Sequence, residues 1–432
     1  MRQITKRKPL LLLLLLMLFT VEGSDAQHAR ELPEWKEGYL DIHFISTGVG
    51  NCAFAVLPDG TSLLIDAGEL DPTSPRVLSP RNTRRFPDYS KLGFQWQADY
   101  IISMFPKGRA PVLDYALISH FHDDHFGGMY PGVPKSGKGN YFLSGITGVG
   151  DIIPIRKLID RGYDYPYDLK SLDKQSPDHL ESMRNLWNFT SWQEKESGLV
   201  HEKLIVGSSR QIALKYNPGK FPDFSVRNIN ANGEVWSGAE GKPNTNKLPN
   251  LETIRRTGVA PGENPLSCGI RIQYGDFTFY TSGDIPGTQP DFEKMPEWYD
   301  MERSVAPVVG EVDVATTNHH ANRDAMTPYY LSVLKPRVII QEVWSSDHPG
   351  HEALIRMTSK KIWPADRDLF ATNMLEANRL VIGDLLEKSY KSTQGHVVLR
   401  VLPGGGEYFL YVLNNLDTNR HITGAFGPYK SK

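Results

Sequence analysis

Three features are scarce in this chain of 432 residues, and each scarcity narrows the class of protein. Cysteine occurs only at Cys52 and Cys268, which excludes a disulfide framework and a zinc site built from thiolates alone. The two thiols could pair in an oxidising compartment, but we favour small buried hydrophobic residues. The formal net charge is −2, so the chain lacks the overall basic field that would hold nucleic acid. Beyond the leader, the sequence has no apolar run long enough to span a membrane.

The leader has the composition of a secretory signal peptide. Four positive charges precede an apolar run over residues 10–21, and small residues follow as far as Ala26. Twelve helical residues rise about 18 Å, less than the bilayer core of about 30 Å, which favours export over an uncleaved anchor. We therefore predict a signal peptide over 1–26, cleavage near Ala26, and a secreted or periplasmic mature chain over 27–432.

Apolar patterns predict hairpins near both ends of the mature chain, and strands that alternate with helices in its later part. Strands are predicted at 40–45, 53–57, 62–65, 114–119, 269–281, 312–316 and 338–343, with a C-terminal hairpin at 396–402 and 408–414. Helices are predicted at 178–195 and from residue 351. This arrangement indicates two sheets with helices outside them, an α/β sandwich.

Residues 130–262 differ from the rest in being rich in Gly, Pro, Asn and Lys. A structureless loop of that length is improbable inside a compact domain unless it is functional. We interpret the segment as a large insertion or lid beside the active site, with a strand at 211–216. Its aromatic residues are expected to influence the substrate preference.

The segment from His120 to His125 (His-Phe-His-Asp-Asp-His) carries the clearest chemical signal. Neutral imidazoles and carboxylates that converge on one point bind divalent metals. His120 and His122 project the same way from an extended segment, so both can reach one ion. Asp124 and His125 turn towards a second position, and Asp123 could orient an imidazole without binding metal itself. The alternative of a polar surface loop is much less favoured, because such clusters usually bind metal.

The motif His-x-His-x-Asp-His after a strand resembles the signature of the metallo-β-lactamase superfamily. Three further segments are similar to motifs of that family: 63–68, which contains Asp66, 279–284, which ends in Asp284, and 314–320, which ends in His319-His320. The resemblance covers about residues 40–415 and implies a four-layer αβ/βα sandwich with one or two metal ions at the edge of two packed sheets. Zinc is the expected metal, with manganese and iron as alternatives.

The resemblance also implies a role for each of these residues. His120 and His122 would bind the first ion, while Asp124, His125 and either His319 or His320 would bind the second. Asp284 would bridge the two ions, and Asp66 would support the metal loop. Asp124 would also accept a proton from the attacking water, which the metal activates. The residues do not distinguish His319 from His320 as the ligand, so both stay open.

One motif of the family is missing. A further histidine is expected some twenty residues before the bridging aspartate, where this chain has Glu263 and Asn264. His179 and His201 lie too far upstream to fill that place. Either one metal position lacks a ligand, or Glu263 or Asn264 substitutes for the histidine.

The gap and several turns resemble the soluble domain of competence proteins for DNA uptake, a subfamily associated with phosphodiester hydrolysis. The similar segments are 45–51, 57–60, the pair at 319–320 and 347–352, although Ala321-Asn322 stands where that subfamily has Gly-Ser. His348 is then the expected general acid or transition-state donor, with a helix-capping role about equally favoured. The expected substrate or anion contacts, against the alternatives of a plain turn or a solvated side chain, are Gly50, Asn51, Asn264, Ser267 and Arg323.

Three functions follow from these observations. The leading expectation is a metal-dependent hydrolase that acts on a phosphodiester or a similar anionic ester. The expected partner is accordingly a small-molecule or phosphodiester substrate. A second enzyme function is hydrolysis of a lactone, lactam or thioester. The third is a metal-containing binding module without turnover, which the full water-activating set argues against. The oligomeric state is not readable from the sequence.

Overall fold

The computed structural model describes residues 31–48, 50–163, 177–288 and 295–432. The predicted signal peptide over 1–26, with its cleavage point near Ala26, lies outside the described residues. Within the described ranges, every helix is too short or too polar to cross a bilayer. Cys52 and Cys268 are both free and buried, as expected for small hydrophobic residues.

The described residues form eighteen strands. The first nine are β1 (Leu40–Phe44), β2 (Ala53–Val56), β3 (Ser62–Ile65), β4 (Tyr115–Leu117), β5 (Lys157–Asp160), β6 (Val200–Lys203), β7 (Phe224–Ala231), β8 (Glu234–Val235) and β9 (Thr245–Asn246). The other nine are β10 (Gly269–Tyr274), β11 (Phe277–Thr281), β12 (Val314–Thr316), β13 (Val338–Gln341), β14 (Asp368–Ala371), β15 (Tyr390–Ser392), β16 (His396–Val401), β17 (Glu407–Leu413) and β18 (Ile422–Lys430).

Ten α-helices lie in the same described part of the chain. They are α1 (Gly93–Met104), α2 (Asp123–Phe126), α3 (Gly145–Ile152), α4 (Pro177–Ser197), α5 (Leu251–Thr257), α6 (Met301–Val309), α7 (Pro328–Leu334), α8 (His351–Thr358), α9 (Glu376–Ile382) and α10 (Asp384–Ser389). Short 3-10 turns cover Pro218–Lys220, Asn264–Leu266, Glu297–Tyr299 and Asn318–Ala321.

The strands form two sheets of nine. The first has the spatial order β18-β17-β16-β1-β2-β3-β4-β5-β6, and the second has the order β15-β14-β13-β12-β11-β10-β7-β8-β9. Strands β3 to β6 pair in parallel, and so do β11 to β15. The carboxyl ends of parallel strands lie at one edge of a sheet, and these edges carry the residues of the candidate site.

Three buried clusters separate four layers. The inner cluster lies between the sheets and includes Ile42 and Leu63 from the first sheet with Ile272 and Val338 from the second. A second cluster joins the outer face of the first sheet to α1, α3 and α4. A third joins the outer face of the second sheet to α6, α7 and α8. The order is therefore helix, sheet, sheet, helix, which confirms the predicted α/β sandwich.

The strand sequences explain this layering, because successive side chains of a strand point to opposite faces. In β3, Leu63 and Ile65 belong to the inner cluster, while Leu64 between them packs against the helices. Both faces are covered, so residues 63–65 are all apolar rather than alternating with polar residues. The same holds for β4, where Ala116 points outwards between two inward residues.

The segment 130–262 contributes to both sheets where it is described. Strands β5 and β6 extend the first sheet and β7 to β9 extend the second, while α4 matches the predicted helix. The predicted strand at 211–216 is wrong: its backbone N–H groups are bound by side chains instead of a neighbouring strand. Ala213 N–H donates to the Tyr115 hydroxyl, and Tyr216 N–H donates to Asp59 Oδ2. The divisions at residues 26, 130 and 262, and the role of a lid, stay predictions.

Candidate metal centre

The metal loop, residues 120–125, follows the carboxyl end of β4 and is fixed by close backbone packing. The carboxyl ends of parallel strands are where open α/β sheets commonly bind ligands. The backbone N–H of Asn51 donates to the carbonyl oxygen of Asp124 at 2.8 Å. A Cβ at Gly68 or Gly50 would lie 1.8 or 2.4 Å from that same oxygen, so a larger residue would displace the loop.

Four buried side chains form the first group of donors, which we call the four-donor group: Asp124, His125, Asp284 and His320. One ligand atom from each lies within 4.8 Å of every other. Nε2 of His320 is 3.1 Å from Asp124 Oδ2 and 3.5 Å from Asp284 Oδ2. Nε2 of His125 is 3.3 Å from Asp284 Oδ1.

A second set, the three-donor group, consists of His120, His122 and Asp284. His120 Nε2 is 3.0 Å from His122 Nδ1 and 3.7 Å from Asp284 Oδ2. Asp284 therefore belongs to both groups, at the place where the sequence predicted a bridging aspartate. His120 is fully buried, whereas His122 is partly exposed and lines an open cleft.

Asp66 fixes the orientation of His125. Its carboxylate accepts from the Ser119 backbone N–H and hydroxyl, both at 2.7 Å, and lies 2.8 Å from Nδ1 of His125. This contact leaves Nε2 of His125 facing the carboxylates, where it is buried without a hydrogen-bond partner among the described residues. An imidazole held in this way by an outer carboxylate is typical of metal ligands. The residues present therefore fit a divalent metal, and imidazole with carboxylate suits zinc.

The electrostatics of the four-donor group point the same way. Burial raises the carboxyl pKa of Asp124 and Asp284, but the charge of His125 and the contacts with His320 outweigh it, so both pKa values lie below the ordinary one. Burial lowers the pKa of His320, yet Asp284 and Asp124 raise it to about 10. The negative charge of the two carboxylates thus favours positively charged neighbours. A bound divalent cation would supply that positive charge.

The structure separates His319 from His320. His320 lies in the four-donor group, and its Nδ1 is 3.1 Å from the Glu342 carbonyl oxygen. His319 points elsewhere, with Nδ1 2.6 Å from Asp324 Oδ1 and Nε2 3.1 Å from the Asn264 side-chain nitrogen. Both residues have positive φ, at 42° and 51°, and this tight turn sends neighbouring side chains to different places.

The place of the missing histidine is occupied by a buried ion pair. Glu263 accepts from Arg161 with both oxygens, at 2.5 Å from Nη2 and 2.8 Å from Nε. Glu263 also accepts from the Phe121 backbone N–H at 3.2 Å. Neither Glu263 nor Asn264 belongs to a donor group. His179 of α4 lines the same cleft despite its distance in sequence, while His201 bonds Asp160 at 2.8 Å.

Two aromatic side chains, those of His348 and Trp344, contact residues of the four-donor group. The ring of His348 stacks on His320 with centroids 4.3 Å apart. Its Nδ1 accepts from the Trp344 backbone N–H at 3.5 Å, which leaves the proton on Nε2. Burial lowers the pKa of His348 well below its ordinary value, so its imidazole is neutral. The indole N–H of Trp344 donates to Asp124 Oδ2 at 2.9 Å.

The donors open onto a cleft of about 570 Å³. Five of its described lining residues are histidines, and the lining also includes Asp123, whose backbone carbonyl accepts from Glu69 and Gly127 N–H groups. Of the expected anion contacts, Gly50 and Asn51 lie behind the metal loop. Ser267 and Asn264 lie beside it: the Ser267 hydroxyl accepts from Asp284 N–H at 3.2 Å, and Asn264 contacts His319. Arg323 is exposed outside the cleft lining.

Sequence reasoning missed Trp344 and Arg161. Trp344 follows the carboxyl end of β13 and Arg161 follows that of β5, the same strand-end position that the metal ligands occupy. That shared position is the signal that could have found them. Their partners are distant in sequence, so spacing alone does not connect them.

This chain is similar to known proteins in structure but not in sequence. The sequence matches no protein-family model and has no significant match to a curated protein. Among solved structures, Zn²⁺-bound PqqB from Methylobacterium extorquens is 12% identical with a TM-score of 0.37, over 81% of this chain and 87% of that one. The metallo-beta-lactamase fold protein YhfI from Bacillus subtilis is 10% identical with a TM-score of 0.35, over 77% and 96%. Yeast PDE1 is 11% identical with a TM-score of 0.35, over 83% and 98%.

Metallo-β-lactamase fold proteins are thus among the solved structures that this chain is similar to, as its motifs predicted. At these identities the fold assignment itself rests on the layers and strand order of this chain.

Proposed function

We propose that the protein is a metal-dependent hydrolase, acting on a phosphodiester or a similar anionic ester. The observation that carries this proposal is the pair of donor groups that share Asp284 at the floor of an open cleft. Zinc is the proposed metal, because the donors are imidazoles and carboxylates. Manganese and iron accept the same donors and are the alternatives to be distinguished by metal analysis.

Each side chain of the donor groups has a separate role in the proposed reaction. His120, His122 and Asp284 would hold one ion, and the four-donor group would hold the other. A bound divalent ion supplies hydroxide at neutral pH by lowering the pKa of water towards 7. Asp124 is the proposed proton acceptor, and the N–H of Trp344 holds its carboxylate in one orientation. Asp66 keeps His125 in the tautomer that presents Nε2.

The five histidines that line the cleft offer hydrogen-bond donors to an anionic substrate. His348 presents an Nε2–H from a neutral ring, so it would act as a hydrogen-bond donor to a developing oxyanion rather than as a cationic acid. The cleft also carries His179 and His319 within reach of a bound molecule. The turns that resemble the DNA-uptake subfamily add support for a phosphoryl group.

Metal analysis combined with a three-substrate screen tests this proposal. The substrates are bis-p-nitrophenyl phosphate, a chromogenic β-lactam and a lactone. The proposal predicts bound zinc and turnover of the phosphodiester. Turnover of the lactam or lactone alone would support the second enzyme function instead, and bound metal without any turnover would support the binding module.

A matched pair of variants ties activity to the site. His122→Ala removes a donor that is partly exposed, so the fold should tolerate it, and we expect loss of metal and activity together. His421→Ala removes an exposed histidine outside both donor groups and should retain both. Equal activity of the two variants would contradict the proposal. Export is a separate proposal, tested by N-terminal sequencing of the mature chain for a start near Gln27.

A further inference from the structure

Arg76 lies over the cleft, next to the proposed catalytic carboxylate. Its guanidinium carbon is 5.4 Å from the centroid of the Trp344 ring. The indole N–H of Trp344 in turn donates to Asp124 Oδ2 at 2.9 Å. A single indole ring therefore separates a permanent cation from the carboxylate that the proposed reaction uses.

The segment that carries Arg76 is tied to the strand end below it. The side-chain amide of Asn82 donates to the Arg76 carbonyl oxygen, and Asn82 forms an antiparallel bridge with Ser345. The Thr83 N–H donates to the Trp344 carbonyl oxygen at 2.9 Å. These bonds fix the Arg76 backbone relative to Trp344, so the fold holds the guanidinium over the indole ring.

The charges of the cleft make this cation distinctive. The described residues that line the cleft include five carboxylates: Asp123, Asp124, Glu263, Asp284 and Asp347. Arg76 is the one Lys or Arg side chain among those same lining residues. Glu263 is already neutralised by Arg161, and Asp124 and Asp284 belong to the donor groups. An anionic substrate thus meets one permanent positive charge on the described wall of the cleft.

We propose that Arg76 binds the non-bridging oxygens of a phosphoryl substrate and so determines the preference for anionic esters, an inference that rests on the proposed function for its substrate class. A guanidinium is planar, and its N–H edge matches two phosphate oxygens. No hydrogen bond or ion pair from the guanidinium of Arg76 is found within the described part of the chain. Its donors are therefore open to a ligand.

Phosphate binding tests the inference without relying on turnover. Titration calorimetry of zinc-loaded protein with inorganic phosphate should give an affinity about ten- to a hundredfold weaker for Arg76→Gln, the range for loss of a charge-assisted hydrogen bond. Arg84→Gln is the matched control, since Arg84 is exposed in the same segment and stacks on Phe86 at 5.0 Å outside the cleft lining. It should change the affinity by less than about twofold. Arg76→Lys should recover part of the loss, because it restores the charge without the planar fork.

The kinetic arm separates this inference from the proposed function. With bis-p-nitrophenyl phosphate, Arg76→Gln should raise KM while kcat and zinc content stay close to those of the wild type. If no phosphodiester is turned over but Arg76→Gln still weakens phosphate binding, the proposed function fails and the anion site stands. If wild type and Arg76→Gln bind phosphate equally, or neither binds it, Arg76 only covers the indole and the inference is overturned.

Discussion

Replacement of His320 by alanine should strongly weaken metal binding at the four-donor group, whereas the same change at His319 should have a much smaller effect. The adjacent histidines make an internal comparison, since both changes delete an imidazole from one short turn. His320 Nε2 lies within 3.1–3.5 Å of two carboxylate oxygens of the four-donor group. His319 instead has its two ring nitrogens beside Asp324 and Asn264.

The expected magnitudes follow from these positions. Residues that only orient a metal ligand typically change metal affinity by about ten- to a hundredfold, or about 1.4–2.7 kcal/mol. His320→Ala deletes one of four donors and leaves the carboxylates of Asp124 and Asp284 facing each other, so we expect a loss greater than about a hundredfold. His319→Ala removes no donor, and we expect a loss of at most about tenfold.

Competition with a chromophoric zinc chelator measures both affinities, and elemental analysis after desalting gives the stoichiometry. Circular dichroism of each variant checks that the fold is intact before metal is added. A loss of zinc affinity in His319→Ala as large as that in His320→Ala would refute the assignment of the ligand. Full retention of zinc by His320→Ala would refute the four-donor group itself.

Two further predictions concern the backbone and a buried carboxyl group. Gly68→Ala should reduce metal content and lower Tm, because its Cβ would lie 1.8 Å from a carbonyl oxygen of the metal loop. Gly219→Ala is the control, since its Cβ meets nothing within 4 Å, and it should change neither metal content nor Tm. Burial raises the pKa of Glu302 from 4.5 to about 7, so the folded state binds the proton more tightly than the unfolded state does. The free energy of unfolding should therefore fall as pH rises between those two values, by about 3 kcal/mol at most. Urea unfolding at pH 5 and pH 8 should show a flatter dependence for Glu302→Gln, and an unchanged slope would contradict the role of this carboxyl group.

The parts of the site that the sequence predicted are those set by local geometry. Asp66 follows β3, His120 follows β4 and Asp284 follows β11, each within a few residues of the end of a buried strand. An apolar strand with a polar side chain at its carboxyl end is visible in a short stretch of sequence. The direction of the strand then fixes the edge at which that side chain appears, so the layers and these residues could be predicted together.

The remaining parts depend on contacts that no local pattern encodes. Which of His319 and His320 joins the four-donor group depends on the positive φ of both residues. Their sequence does not predict that backbone conformation. Arg161 follows β5 of the first sheet and Glu263 precedes β10 of the second, so their contact joins segments that are distant in sequence. The strand predicted at 211–216 does not form for a similar reason. Its backbone N–H groups donate to side chains that are distant in sequence.

The Arg161–Glu263 ion pair explains why one donor group has three residues and the other has four. Moving Glu263 onto a metal would break its ion pair with the buried Arg161 guanidinium, and breaking a buried ion pair costs about 3–5 kcal/mol. Glu263 is therefore held away from the three-donor group, so an ion bound there would have three protein ligands. Catalytic zinc sites have three protein ligands and an open position, whereas structural sites are closed by four. The three-donor group beside the cleft thus has the ligand number of a catalytic zinc site, which supports the proposed hydrolase.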